Sequence, residues 1–229
     1  MNIDFGTAEP QWIDPMITML AVLFGSILAW VTSYYFELKK LKNEELSIAY
    51  SLIFKVQHFA NELVQLERQV KEGIERAESE GAGTPVWTKM VDVVGFKGDP
   101  ESINSKELAL IAKTQDLDLL MKIRELESGH HIMVSVMSKI SEFRIRLADT
   151  DLAEAVSGRT VSFAASPDQY PKVAPLLISL NDLSAGLATD LPRITKSARE
   201  LANRLGPTLK KYYKFKHFVV LSFVDSSPI

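Results

Sequence analysis

The side chains with the most capacity for chemistry are four histidines, His58, His130, His131 and His217, in a chain without cysteine. Glu127 and His130 have the Glu-x-x-His spacing that puts a carboxylate and an imidazole on one helix face, as in carboxylate-bridged di-iron bundles. Such a centre needs a second copy of the motif and two further glutamates. No second copy exists, although His58 and Glu62 also stand one helical turn apart. In a chain with 29 acidic residues, the expectation is that these groups are solvated helix-surface residues, with no metal and no cofactor. Gly129 beside the histidine pair costs about 1 kcal/mol against alanine in a helix interior, so it marks a kink or a close backbone contact. Asp116 and Asp118 are two residues apart, which on a helix points them away from each other and suits charges complementing a helix N-terminus. The sequence carries no glycine-rich phosphate loop, no Gly-x-Ser-x-Gly elbow and no His-Glu-x-x-His, so the chain is not expected to be an enzyme and no catalytic residue is assigned.

A second constellation lies near the C-terminus. Lys210, Lys211, Lys214 and Lys216 alternate with Tyr212, Tyr213, Phe215 and Phe218, and residues 206–218 contain no acid. The plainest reading is a helix end whose cations complement the dipole while the rings fill a core. The functional expectation is contact with an anionic membrane surface, where each cation contributes about 1 kcal/mol and aromatics favour the headgroup layer. Phosphate neutralisation and base stacking would also suit nucleic acid, but nucleic acid is not the expected partner, because the rest of the chain points to a membrane.

The elements that position these residues begin with a 22-residue run, Pro15 to Phe36, that has no charged side chain. As a helix rising about 1.5 Å per residue it spans roughly 33 Å, the thickness of a hydrocarbon core. Asp14 and Pro15 supply an N-cap and a first-turn proline, while Trp12 on one side and Trp30, Tyr34 and Tyr35 on the other suit the two headgroup belts. A cleaved signal peptide fits less well: no Lys or Arg precedes the run, and bulky aromatics occupy its end. Three lysines, Lys39, Lys40 and Lys42, follow the run and none precedes it. The expected topology therefore has residues 1–14 outside, residues 15–36 crossing an inner or plasma membrane, and residues 37–229 in the cytoplasm. Ala21, Gly25, Ala29 and Ser33 recur every four residues along one face, a pattern that admits a second helix at close range. The same three lysines join the C-terminal four as expected membrane-surface contacts.

Beyond the run, Leu38, Leu41, Ile48, Leu52, Val56, Phe59, Leu63, Leu66, Val70 and Ile74 continue at helical spacing, so the span is expected to extend into a long amphipathic helix ending in the Gly- and Pro-containing stretch 78–85. The step from Leu52 to Val56 is a four where a strict heptad places a three, which suits a bundle helix better than a free coiled coil. Residues 86–95 fit a short helix or strand, and 95–105 a loop. Asn104 and Glu107 have capping-box spacing for a short element through Ala112. A second long helix is expected from about Asp116 to Ala155, residues 158–166 read as a connector, and a third helix starts near Pro171 and Pro175. Pro192 should kink that helix and Gly206-Pro207 should stop it. Residues 210–224 then lose the helical period and are rich in β-formers.

The fold expected is mainly α: an N-terminal transmembrane helix continuing into an amphipathic helix packed in an antiparallel bundle, with a basic-aromatic segment over 206–224. The function expected is that of a membrane-anchored scaffold, adaptor or sensor subunit acting through helix contacts with a protein partner or a second copy. The alternatives are a metal-dependent enzyme with a site among His58, Glu62, Glu127 and His130, or an envelope-disrupting, phage-related effector.

Overall fold

A computed structural model describes residues 13–81, 84–90, 102–149, 153–157, 160–164, 168, 170–214 and 218–220. The chain is mainly helical: α1 (Ile13–Glu80), a one-turn 3₁₀ helix (Val86–Thr88), α2 (Ser105–Ala112), α3 (Leu117–Ala148), strands β1 (Ala153–Ser157) and β2 (Thr160–Ala164), and α4 (Tyr170–Tyr213). It divides into two compact units, residues 1–47 and residues 48–229.

In the first unit every described side chain from Pro15 to Glu44 is exposed. This stretch supplies the one helix among the described residues that is long and apolar enough to cross a membrane. Its hydroxyls turn inward on their own helix: Ser26 Oγ donates to the Val22 carbonyl at 2.8 Å and Thr32 Oγ1 to the Leu28 carbonyl at 2.7 Å. Trp30 stacks on Tyr34 one turn later.

The second unit is a helical bundle whose α1 stripe is the one the periodicity marks. Leu52, Val56, Phe59, Leu63, Leu66 and Val70 are buried, with Ala49, Ile53, Ala60 and Ala77 beside them. Opposite lie Leu119, Ile123, Leu126, Met133, Val134, Met137 and Ile140 of α3, and Leu180, Leu187, Leu191, Ala198, Leu201, Leu205 and Leu209 of α4. Helix α4 runs antiparallel to the other two. Tyr50 of α1 stacks on Phe218 while Leu63 accepts a hydrogen bond from Thr195, and Asp118 at the start of α3 meets Arg204 near the end of α4. Helix α3 runs in the same sense as α1, because Glu62 contacts His130, whereas the Gly73 backbone approaches Met90, whose carbonyl accepts from Arg144 further along α3.

Three expectations need correction. Helix α3 ends at Ala148, well before Ala155, and residues 153–157 and 160–164 form two antiparallel strands in place of a helix end and a connector. The strands pair Val156 with Val161 and Ser157 with Thr160, positions whose β-branched valines and threonine favour a strand. Helix α4 passes through Gly206 and Pro207 and ends at Tyr213. The missing Pro207 N–H weakens one turn, but burial of Leu209 and two tyrosine hydrogen bonds described below hold the turns that follow. Gly206 has a packing role, since a Cβ there would come within 3.2 Å of Val220.

Candidate functional site

The polar interior of the second unit is built around Glu62, Glu107 and Glu127. His130, one of the residues expected on the solvated surface, is 1% exposed, and Glu127 is also buried. The periodicity explains both positions afterwards: His130 and Glu127 flank Leu126, Met133 and Val134 on the face that α3 turns inward. Helix α3 can come this close to α4 because Gly129 lacks a side chain; a Cβ there would stand 3.3 Å from Ile194 Cγ2.

The structure does not assemble the Glu-x-x-His pair into a metal centre. Both Glu127 oxygens are engaged, Oε1 accepting from the Ile103 backbone N–H at 2.6 Å and Oε2 from Arg124 at 2.8 Å. His130 turns instead to α1, where Nε2 lies 2.5 Å from Glu62 Oε2 and the imidazole stacks on Phe59 with ring centroids 4.6 Å apart. On the other side of the same carboxylate, His58 Nε2 stands 3.4 Å from Glu62 Oε1, with most of its ring in solvent. Among the described residues no group of three or more His, Asp or Glu is arranged to hold a metal ion.

Burial lowers the pKa of His130, opposed by the hydrogen bond and charge of Glu62 and reinforced by the charges of His131 and His58. Among the described residues its Nδ1 is buried without a hydrogen-bond partner, as is Nε2 of His131. A neutral imidazole carrying its proton on Nε2 satisfies this arrangement: it donates to Glu62 and leaves Nδ1 as a bare lone pair.

Glu107 anchors α2. The capping box is present, with Glu107 N–H donating to Asn104 Oδ1 at 3.0 Å and Asn104 N–H donating to Glu107 Oε2 at 2.8 Å. The same carboxylate accepts from Ser51 at 2.7 Å and Lys55 at 3.1 Å, both on α1. Lys55 also donates to the Ser102 carbonyl.

Asp116 and Asp118 converge, contrary to the helical spacing argument. Asp116 is the N-cap of α3 with non-helical backbone angles, so the angle between positions i and i+2 of a helix does not apply. Both carboxylates reach the fork of Arg204, at 2.7 and 2.5 Å. That guanidinium, aided by Lys122, holds the Asp118 carboxyl below its ordinary pKa. A cleft of about 270 Å³ between α1 and α4 has two charges of each sign on its walls, Glu67 and Glu200 against Lys196 and Arg199.

The basic-aromatic block separates into two roles. Tyr212 and Tyr213 donate to the backbone carbonyls of Lys113 and Leu110 at the end of α2, and Phe218 is buried against Tyr50. Phe218 belongs to the bundle core, while Tyr212 and Tyr213 are tied to α2 through their hydroxyls, Tyr212 with its ring half exposed. Lys210, Lys211 and Lys214 are exposed, Lys214 closing the helix with a left-handed φ of 52°, while Phe215 and Lys216 lie outside the described residues. In the first unit, Lys39, Lys40 and Lys42 are exposed, as are Ala21, Gly25, Ala29 and Ser33. Among the described residues a Cβ at Gly25 would meet nothing within 4 Å. No family model, no curated protein and no solved structure matches the chain.

Proposed function

We propose that the chain is a single-pass membrane-anchored interaction protein, a scaffold, adaptor or sensor subunit, with its N-terminus outside and its helical bundle in the cytoplasm. The observation that carries the reading is the contrast within the first unit. Residues 15–36 form an uncharged helical stretch whose large apolar side chains are exposed all round. A helix that is apolar on every face needs a solvent or partner of matching polarity, and its intrahelical hydroxyl bonds suit a medium without water. Lys39, Lys40 and Lys42 set the orientation. The Ala21, Gly25, Ala29 and Ser33 face would receive a helix from a second copy or a partner. Contacts between helices, in the membrane and through the bundle, would then be the protein's activity.

Alkaline carbonate extraction of membranes from expressing cells tests the anchor, and a phosphatase fused after Ile229 tests the orientation. The full chain should stay with the membrane and the fusion should be inactive. Release into the soluble fraction, or an active phosphatase, contradicts the anchor or the topology respectively.

A further inference from the structure

We infer that the contact between His130 and Glu62 is an acid-labile latch holding α3 against α1. The geometry admits only one of the two protonation states of the imidazole at low cost. In the neutral form Nε2–H donates to Glu62, the ring lies on Phe59, and the buried Nδ1 is a lone pair with nothing to donate. Adding a proton turns Nδ1 into a donor enclosed by protein with no acceptor beside it among the described residues, and an unsatisfied buried donor is costly. The charge is taken up at a position that is 1% exposed.

The ionisable groups acting on the ring are Glu62 and His58 from α1 and His131 from α3. From α4, Ile194 lies at Gly129 and Thr195 at the Leu63 carbonyl, and the charged groups beside Thr195 are Lys196, Arg199 and Glu200, which share a cleft with Glu67 of α1. Glu62 would favour the cation, but burial outweighs it and the two neighbouring imidazoles oppose it. The sign follows from linkage. A histidine whose folded pKa is lowered contributes stability that is fully present above its unfolded value, near 6.5, and is lost as pH falls below that value toward the folded one.

The test compares the melting of the full chain in one detergent at pH 7.5 and pH 5.0 with that of His130→Gln, whose amide N–H still donates to Glu62 but does not titrate. The wild-type Tm should drop by roughly 3–6 °C more than that of the variant. Equal drops overturn the latch. Should His130→Gln fail to fold, ¹³C-histidine NMR of the wild type decides. The His130 signal should keep its neutral Nε2–H form until the fold itself is lost, and uptake of a proton near pH 6.5 with Tm unchanged overturns the proposal.

Discussion

Helix α1 carries two regimes on one continuous backbone. From Pro15 to Glu44 no described side chain is buried, whereas from Ala49 to Val70 every third or fourth residue is sealed from solvent and the polar residues between them meet specific partners. In the first stretch no side chain is buried by another described part of the chain, and the contact seen there is local, Trp30 stacking on Tyr34. In the second, each side chain is fitted to named atoms: Phe59 to His130, Ser51 and Lys55 to Glu107, Glu62 to His130. Helical propensity is therefore shared by both stretches, and what differs is whether a substitution is felt inside the molecule or at its boundary.

The sharpest way to break this comparison is to remove the same side chain from each stretch. Phe59 is 0% exposed and Phe24 is 69% exposed. Phe59→Ala should cost about 3–5 kcal/mol of unfolding free energy, from lost transfer energy and the cavity left behind. Phe24→Ala should change the unfolding of the helical bundle by less than about 0.5 kcal/mol. Chemical denaturation in detergent, followed by helical circular dichroism, measures both. Similar losses for the two variants would mean that residues 15–44 are packed within the chain after all.

The outcome of reading the sequence divides along the same line, between local and distant information. The α2 capping box was legible because its four residues contain the whole interaction. So was the buried stripe of α1, because a period of 3.6 is a property of one segment. The Glu62 and His130 contact joins residues 68 apart, and periodicity places His130 on an inward face without saying what it meets there. The hydrogen bond from Ile103 to Glu127 is equally remote from local pattern. The convergence of Asp116 and Asp118 was missed for a different reason: the spacing rule assumes both residues are helical, and one is the cap. The pairing of 153–157 with 160–164 was hidden because the apolar residues after Ala148 continue at spacings a helix also accommodates. The extension of α4 beyond Pro207 depends on Tyr212 and Tyr213 finding carbonyls on α2, which no segment of α4 reveals alone.

A smaller effect is expected where the first stretch meets another helix. Gly25 is open among the described residues, so Gly25→Ile should leave bundle unfolding unchanged while a branched side chain keeps a second backbone from approaching. In a membrane two-hybrid assay the self-association or partner signal should fall several-fold, which corresponds to about 1 kcal/mol. An unchanged signal beside a responsive control would remove this face from the proposed interaction.

The smallest effect on stability, and the most selective in what it reports, belongs to the exposed lysines of the second unit. Lys210, Lys211 and Lys214 are exposed, whereas Tyr212 and Tyr213 between them are committed to α2. Replacing the three lysines by glutamine should therefore leave unfolding within about 0.5 kcal/mol of wild type. If these cations meet an anionic leaflet, they should nevertheless alter where the end of α2 resides. The absence of native cysteine makes Ala112→Cys, at an exposed position beside Lys113, a unique attachment point for a fluorophore. In nanodiscs holding the full chain, nitroxide-bearing lipids should quench that fluorophore more strongly when the discs contain phosphatidylserine than when they are neutral. The excess should fall as salt shortens the screening length toward about 8 Å and beyond, and fall in the triple glutamine variant, because three of the four lysines of the block are gone. Equal quenching in neutral and anionic discs would leave the lysines as cations complementing the C-terminal dipole of α4, the plainer role that suits Lys210 and Lys211 in its last turn and Lys214 just beyond it.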